Sequence, residues 1–450
     1  MTAAAPGPST PLAELRIELH VELIDAAAGL EAIRTEWAKL NQVARAGSLF
    51  LGPEWLIPWW KHFGGGRELQ VIAVREAGAL VGLLPLFTER VRLGGVAARR
   101  LALLGDGATG CDYLDALALP RREAAVLEAA LQAAFALPWD LCELDGMLRE
   151  SPTTLLLADR HPPGSRSAAP DSAGAASSGP RRDDAVRREA QLRFVCPYIP
   201  LRGTYEEYLA GLGRRENLKR REKWLLRQPG FEVAVASTPA GAPAALETFF
   251  ELHRARWAAE GGSDGLADAR FEAFHRDAVA NLAAAGMLRL YTLSCARRAV
   301  ASVYGVVFQG RFLYYQSGAD PLWARSSAGL VLLARTVKDA FAAGLSEFDF
   351  LRGDESYKAQ WKRAERWTVR VQLFRGTRGS ICHATSRAAT AARSGLKSAI
   401  PDQALNTARI ARRLLRAPRP AGETRFEGAL RLLSAARGAV NASSSGTAAH

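Results

Sequence analysis

The sequence predicts an α/β fold in which two similar domains follow one another. The chain has 450 residues, of which 48% are hydrophobic, and this is enough apolar material for two or three domains. Residues 161–190 carry almost no bulky apolar side chain, so we expect a low-complexity linker there. That linker separates a block at 12–160 from a block at 191–380. Helical and β patterns alternate in much the same order in both blocks.

In the first block, short apolar runs predict strands and longer patterns with helical periodicity predict helices. The turn pair Ala77-Gly78 joins two of the β runs. We expect strands at 17–23, 69–75, 80–90, 99–104 and 140–144, and helices at 29–45, 53–63 and 121–135.

The second block contains clear helix-termination and turn residues. Gly286 and Gly344 each follow a helical pattern, and Gln309-Gly310 fits a tight hairpin turn. We expect helices at 204–212, 214–227, 243–260, 269–285, 330–343 and 354–361, and strands at 231–237, 287–294, 299–309, 311–317, 347–351 and 368–374.

The two ends of the chain predict no folded domain. Residues 1–11 are small residues and proline and read as a disordered tail, and residues 381–450 read as a basic, partly helical tail. No apolar run approaches the roughly 18 residues of a membrane span, and no secretory signal is visible, so we expect a cytoplasmic protein. The five cysteines lie far apart and are odd in number. This argues against a disulfide framework and against a metal site.

The net charge of +13 is compatible with a partner that carries phosphates or with diffuse surface charge. The predicted helix Arg214–Arg227 holds seven cations and two acids. It is either a solvated face or a contact for tRNA or a nucleotide diphosphate. The segment Ala404–Leu415 is basic and amphipathic. It either docks on the folded body, stays unfolded, or makes a peripheral contact with an anionic membrane.

A set of short motifs in the second block occurs in a fixed order. They are His253-Arg-Ala-Arg256-Trp257, Tyr315-Gln-Ser-Gly318, Ala328-Gly329-Leu330, the run Phe348–Gly353, and Tyr357-Lys358 followed by Trp361. Through them residues 200–375 resemble the GCN5-related N-acetyltransferase (GNAT) superfamily. Within it the branch called BioF2-like or CelD-like, related to the FemAB aminoacyl-transferases, is the most similar.

The resemblance extends more weakly to the first block, through Trp55, Trp59, Leu84-Pro85-Leu86 and Asp112-Tyr113-Leu114. It implies tandem GNAT-like domains, each a mixed, mostly antiparallel sheet flanked by helices, with the first domain degenerate. The glycine-rich turn Leu104–Gly110 has no cation and does not lead into a helix, so it is a poor phosphate loop. We therefore expect the first domain to frame an acceptor site at the cleft between the domains.

The donor site is expected where a strand gives way to a helix. The resemblance assigns the pyrophosphate of acetyl-CoA or another acyl-CoA to the loop Arg325, Ser326, Ser327, Ala328, Gly329 and Leu330. A helix start offers free N–H groups and a partial positive charge to phosphates, although an ordinary serine N-cap would look the same. Ala328 stands where the family often has glycine. The strand ending at Ser317 would splay from its neighbour and offer a backbone N–H to the thioester carbonyl, with Tyr314 and Tyr315 as packing residues.

The acid–base candidates follow this loop along the chain. Asp349 is either a base for the acceptor amine or half of an ion pair with Arg352 or Lys358. Glu355 is a second base candidate or a first-turn helix acid. By resemblance Tyr357 protonates the leaving thiolate. Lys358 would neutralise phosphate or the oxyanion unless it is a surface lysine.

The acceptor candidates lie on one helix face. His253, Arg256 and Trp257 are spaced i, i+3, i+4 and are therefore neighbours, and His253 could act as a general base. Arg352 is the remaining substrate-binding candidate.

The function implied is an acyl-CoA-dependent N-acyltransferase with direct attack by an amine, because no nucleophile triad is visible. The CelD-like branch points to polysaccharide production, so a small-molecule amine or an envelope or polysaccharide precursor is the expected acceptor. Two alternatives stay open. One is a FemAB-like transferase that uses aminoacyl-tRNA, although the expected coiled-coil insertion is not visible. The other is a non-catalytic scaffold with a decayed GNAT fold.

Overall fold

The computed structural model describes residues 18–107, 109–159, 186–213, 215–259 and 268–399. The predicted fold class is confirmed: the chain is a mixed α/β protein with mostly antiparallel sheets flanked by helices. We refer to residues 18–159 as the first half and residues 186–399 as the second half.

The first half follows the predicted order with two differences. The expected helix at 29–45 is interrupted at Ile33, and the expected strand at 80–90 is interrupted at Pro85, which lacks the N–H that a strand ladder needs. Its elements are β1 (Leu19–Ile24), α1 (Ala27–Ala32), α2 (Arg34–Val43), α3 (Pro53–Phe63), β2 (Glu68–Leu69), β3 (Val71–Glu76), β4 (Ala79–Leu84), β5 (Leu86–Leu93), β6 (Val96–Leu103), β7 (Leu117–Ala118), α4 (Glu123–Ala136), β8 (Leu141–Leu148) and α5 (Pro152–Asp159).

The second half contains every predicted element, one strand that was missed, and the helix α12 where only a partly helical tail was expected from residue 381. Its elements are β9 (Val186–Pro200), α6 (Tyr205–Ala210), α7 (Arg215–Leu225), β10 (Glu232–Ala236), α8 (Ala242–Ala259), α9 (Ala269–Ala284), β11 (Leu288–Cys295), β12 (Arg298–Phe308), β13 (Arg311–Ala319), α10 (Ala328–Ala342), β14 (Glu347–Asp349), α11 (Ser356–Trp361), β15 (Ala364–Arg375) and α12 (Gly376–Ala399).

The tight turns have the backbone that their residues predict. Gln309 and Gly310 both have positive φ, at 48° and 71°, as do Ala77 and Gly78, at 48° and 86°. Two consecutive positive φ angles are typical of the type I′ turn, whose twist matches the flanking strands. Both hairpins therefore lie where the sequence predicted them.

One sheet joins the two halves. Eleven strands run in the order β10-β11-β12-β13-β14-β9-β15-β8-β6-β5-β2, and a separate sheet has the order β1-β3-β4-β7. β15 lies between two strands and pairs with both of them. One is β9 of the second half, and the other is β8 of the first half. The interdomain boundary is therefore a hydrogen-bonded strand pair.

Strand β9 corrects the predicted linker. Residues 186–190 belong to this strand and pair with β15, so the linker predicted at 161–190 ends too late. The segment VRREAQLRFV carries charges on both faces, and its side chains are mostly half-buried or exposed. Its ladder partners, not an apolar alternation, make it a strand.

The second half places a separate apolar core on each face of its sheet. On one face α10 packs over Phe312, Phe348 and Phe350, and the rings of Phe312 and Phe348 stack at 4.8 Å. On the other face Leu313 and Tyr315 join the core of the first half. Neighbouring residues of β13 therefore contact different cores, as period-two alternation requires.

The predicted tail at 381–450 begins inside α12, and residues 400–450, with the amphipathic segment 404–415, lie outside the described residues. The predicted tail at 1–11 and residues 160–185 lie outside them as well. Within the described ranges no helix is long and apolar enough to cross a membrane. All five cysteines are buried, free thiols.

Candidate functional site

A groove runs from the start of α10, along the end of β13, to α11. It consists of two adjoining cavities with empty volumes of about 580 and 850 Å³. The two cavities share Arg256, Ala319, Gly329 and Leu330 in their walls. Five elements, α8, β12, β13, α10 and α11, together with the short turn that follows β13, therefore position the side chains of one continuous site.

The start of α10 presents free amides to this groove. Ser327 is the N-cap residue with a left-handed backbone, φ 58°, and its side chain makes no capping hydrogen bond. The Oγ of Ser326 is used elsewhere, because it donates to the carbonyl of Trp323 at 2.6 Å. Among the described residues no group accepts a hydrogen bond from the N–H groups of residues 328–330. A helix start in this state attracts phosphate or another anion.

Small side chains keep the approach to these amides open. A Cβ on Gly329 would meet only the Cβ of Ala319, at 3.8 Å, so the backbone is accessible from the groove. Ala328 is buried in the core beneath α10. Ala328 also belongs to the wall of the cavity at the start of α10, so its methyl group borders the groove at a position where the family often has glycine. The side chain of Arg325 is exposed and lies outside the two cavity walls.

Two guanidinium groups flank the groove. Arg256 of α8 lines both cavities and donates to the Oγ of Ser317 at 3.0 Å. Arg221 of α7 donates to the Oγ of Ser327 at the helix start. The sequence prediction assigned Arg256 to the acceptor pocket, and in the structure it lies in the wall of this groove. Arg221 was part of the predicted basic helix but was not assigned to this site.

β13 diverges from its parallel neighbour as the resemblance implied. The pairing with β14 stops at Leu313 and Asp349, so the later residues of β13 pair only with β12. A β-bulge leaves Tyr315 without an opposing residue on β12. Ser317 then lines the groove. Backbone groups on the open side of β13 are consequently available to a ligand.

Tyr357 and Tyr314 meet at the far end of the groove and both line it. Burial raises the pKa of Tyr357 far above its usual range, and the neighbouring Tyr314 and Glu355 raise it further. Tyr357 is therefore protonated at neutral pH and can donate a hydrogen bond into the groove. Tyr314, interpreted from the sequence as a packing residue, also contributes to the site.

Asp349 does not reach the groove, and its predicted role as the base is wrong. The carboxylate is fully buried and accepts hydrogen bonds from the Oη of Tyr113, at 2.8 and 3.1 Å, and from the backbone N–H of Leu351, at 2.7 Å. Its nearest cation is Arg366, at 3.9 Å, in place of the expected Arg352 or Lys358. Asp349 is thus a contact between the two halves.

Arg352 and Lys358 are also held by the protein, contrary to their predicted ligand roles. The Nε of Arg352 pairs with the Oδ1 of Asp112 at 2.6 Å, across the two halves. Lys358 is 5% exposed, and its Nζ donates to the carbonyl of Arg352 at 2.6 Å and lies 3.0 Å from Glu355. Lys358 is therefore neither a surface lysine nor placed to bind phosphate. Glu355 is exposed and lies outside the two cavity walls, but it is close enough to Tyr357 to raise the pKa of that residue.

His253 lies behind the wall of the groove. It is buried against Phe249, and its Nε2 is 3.1 Å from the Oε1 of Gln316. This position contradicts a direct role as a base in the groove. The side chain of Trp257 lies outside the described residues.

A separate polar cavity of about 1080 Å³ lies between the two halves. Tyr113 and Asp115 line it from the first half, and Tyr198, Arg366 and Trp367 line it from the second. Burial raises the pKa of Asp115 to about 6. No group of three or more His, Cys, Asp or Glu within the described ranges is arranged to hold a metal ion.

The comparison with protein families matches residues 213–359 to the family described as an acetyltransferase (GNAT) domain. A comparison with curated proteins gives no match.

Several solved structures resemble the chain at low sequence identity. The crystal structure of FemX is 13% identical, with a TM-score of 0.48, over 74% of this chain and 95% of that one. A conserved protein of unknown function from Bacteroides thetaiotaomicron is 12% identical, with a TM-score of 0.47, over 79% and 100%. A tandem GNAT protein from the clavulanic acid biosynthesis pathway is 14% identical, with a TM-score of 0.39, over 79% and 98%. With TM-scores below 0.5, these likenesses carry no argument about function.

Proposed function

We propose that this protein, a GNAT-type acyltransferase by its domain at residues 213–359, transfers an acyl group from acyl-CoA to an amine. The observation that carries the proposal is the start of α10, whose backbone N–H groups are uncapped among the described residues and open into the groove. Such a site fits a diphosphate bound by backbone donors.

Successive parts of the groove fit successive parts of acyl-CoA, from the pyrophosphate to the thioester. The amides of residues 328–330 would hold the pyrophosphate, and Arg256 would lie beside the chain that leads to the thioester. The thioester supplies an activated carbonyl when it is bound. The open edge of β13 would then donate a backbone N–H to the carbonyl oxygen as negative charge develops on it.

Proton transfer is assigned to the end of the groove. Tyr357 lines the groove and is protonated at neutral pH, and we assign to it the proton that the departing sulfur takes up. Glu355 is the exposed carboxylate beside it and is our candidate for accepting the proton of the amine. Positioning in the groove and the oxyanion donor would supply most of the rate.

The acceptor is proposed to be an amine of a small molecule or of an envelope or polysaccharide precursor. The polar cavity between the halves is our candidate site for it. Its wall holds four carboxylates that would attract a cationic amine and three arginines, of which Arg366 pairs with Glu347; the carboxylates are Asp115, Glu150, Glu347 and Glu365, and the other arginines are Arg45 and Arg149. The buried free thiols are consistent with a reaction in the reducing cytoplasm.

A second candidate donor is aminoacyl-tRNA. The observation that favours it is the basic helix α7, which reaches the start of α10 through the hydrogen bond from Arg221 to Ser327. In this alternative the same amides would hold a phosphate of the tRNA 3′ end.

The donor assignment is tested by titrating acetyl-CoA against the melting temperature. At 100 times Kd, binding stabilises the protein by about 2.7 kcal/mol. Gly329→Asp places a negative charge at the amides and should abolish the shift. Gly329→Ala is the matched control and should retain it, because the added Cβ meets only Ala319. A flat response to acetyl-CoA by the wild type, or an equal response by both variants, would contradict the proposal, and salt-sensitive tRNA binding lost in Gly329→Asp would favour the second donor.

A further inference from the structure

An apolar patch with a cationic rim lies where the end of α7 meets the short 3₁₀ turn Pro321–Ser326. The ring centroids of Trp224 and Trp323 are 6.3 Å apart, which joins the two segments. Leu322, at the tip of the turn, is 81% exposed, and Trp224 is 48% exposed. We call this the Trp224–Leu322 patch. Large apolar side chains clustered in water usually mark a surface that meets another apolar phase.

The cations around this patch are exposed and available. On α7 the residues Arg220 and Trp224 are spaced i, i+4 and share one face, and Arg227 lies in the turn that follows the helix. The exposed cations of the rim are Lys219, Arg220, Lys223, Arg227 and Arg325. None of these five pairs with a carboxylate within the part of the chain that the structure describes. Glu216 and Glu222 are the two acids of α7, so the rim is positive overall.

We propose that the Trp224–Leu322 patch docks the protein on the surface of an anionic lipid bilayer. The leucine and the indoles would enter the boundary between headgroups and acyl chains, and the rim cations would remain among the lipid phosphates. An aliphatic side chain at the tip of a turn favours a bilayer over a nucleic acid. Leu322 would be removed from water by acyl chains but gains no stacking with bases.

The patch is continuous with the donor groove. Trp323, one of its indoles, also lines the cavity at the start of α10 together with Pro321 and Ala324. Docking would therefore turn this end of the groove toward the membrane surface. This inference concerns a surface distinct from the predicted segment 404–415 and stands independently of which donor the groove binds.

Co-sedimentation of the full chain with vesicles tests the proposal. Vesicles of phosphatidylcholine with phosphatidylglycerol should bind the protein, vesicles of phosphatidylcholine alone should not, and binding should weaken as salt is raised. Leu322→Ser should weaken binding by about tenfold through the lost apolar contact. Arg220→Gln combined with Lys223→Gln should weaken it by a further factor of at least about ten.

Two matched controls separate the patch from the rest of the surface. Leu155→Ser removes an exposed leucine of the first half, which is 52% exposed, and Lys338→Gln removes an exposed cation of α10 away from the patch. Both should bind like the wild type, and residues 400–450 are the same in every variant. Absence of binding to anionic vesicles, or patch variants that bind like the controls, would overturn the proposal. Binding of bulk tRNA that depends on Arg220 and Lys223 but not on Leu322, without vesicle binding, would also overturn it.

Discussion

Tyr357 is a half-buried side chain of the groove wall, and burial raises its pKa strongly. Tyr357→Phe removes the proton donor but keeps the ring, so we expect kcat to fall about 100-fold while donor binding changes less than about twofold. Because the pKa of Tyr357 is raised, this residue itself should not cause a loss of activity as the pH rises through 8 and 9. Steady-state kinetics measure both effects.

The matched control for Tyr357 is Tyr205→Phe. Tyr205 packs against Phe341 and lies outside the groove walls. The Tyr205→Phe substitution should leave kcat unchanged. A Tyr357→Phe enzyme with unaltered kcat would show that another group protonates the leaving thiolate.

Asp115 carries the pH dependence expected at the cavity between the halves. Burial raises its folded-state pKa to about 6 from about 3.8, so between these pH values the folded protein binds more protons than the unfolded chain. The free energy of unfolding should therefore fall as the pH rises through this window, by up to about 3 kcal/mol from this group.

Asp115→Asn tests this because the amide cannot ionise and its Oδ1 can still accept from the N–H of Ala116. The free energy of unfolding of the variant, measured in urea relative to that of the wild type, should therefore be higher at pH 7 than at pH 4. A stability difference that is the same at both pH values would contradict the assignment.

Single residues also show where sequence reasoning about the site stops. Gly329 and Tyr357 both lie in the groove wall, and their predicted positions depend on local features, a helix start and the turn after a strand. Asp349 and Arg352 were misassigned because their partners, Tyr113 and Asp112, lie more than 200 positions away along the chain. No local pattern can show such a pairing.

At the scale of elements, the bulge in β12 and β13 shapes the groove. Gly305 packs directly against the ring of Phe312. A Cβ added to Gly305 would lie 2.2 Å from the Cζ atom of that ring. Gly305→Ala should therefore destabilise the protein by about 1–3 kcal/mol and weaken donor binding, because the strand next to the groove must move. Urea unfolding and acetyl-CoA titration measure the two effects.

Gly65→Ala is the control for this substitution, since a Cβ at Gly65 meets nothing within 4 Å. It should change stability by less than about 0.5 kcal/mol. If Gly305→Ala were equally neutral, the close packing at the bulge would not hold the strand in place.

Most elements were predictable because their apolar periodicity and turn residues agree. The exceptions have physical reasons. β9 carries charges on both faces and depends on two neighbouring strands, and Pro85 divides one apolar run between two sheets. The pairing partners of a strand come from the whole chain, which its own residues do not encode.

For the whole molecule, the shared sheet makes the two halves one folding unit. Leu373 of β15 is buried between Cys142 of β8 and Arg188 of β9. Leu373→Ala should lower the free energy of unfolding by about 2–5 kcal/mol and shift a single calorimetric transition, because both halves lose the same contact. Leu155→Ala, at an exposed position of α5, is the control and should have little effect. If calorimetry showed two separate unfolding transitions, and Leu373→Ala shifted the temperature of only one, the two halves would not be one folding unit.

The tandem order of elements was visible in the sequence, but the joining of the halves through β8, β9 and β15 was not. That joining holds the first half against the face of β13 opposite the groove, where the hydroxyl of Tyr315 donates to the carbonyl of Thr109 at 2.7 Å. The residues of the groove walls all belong to the second half, so the first half supports β13 from behind the groove.

A crystal structure of the protein with CoA tests the central claim most directly. We predict that pyrophosphate oxygens lie within hydrogen-bond distance of the backbone nitrogens of residues 328–330, with the sulfur directed toward Tyr357. CoA bound elsewhere, or a start of α10 that stays empty at saturating CoA, would contradict the account.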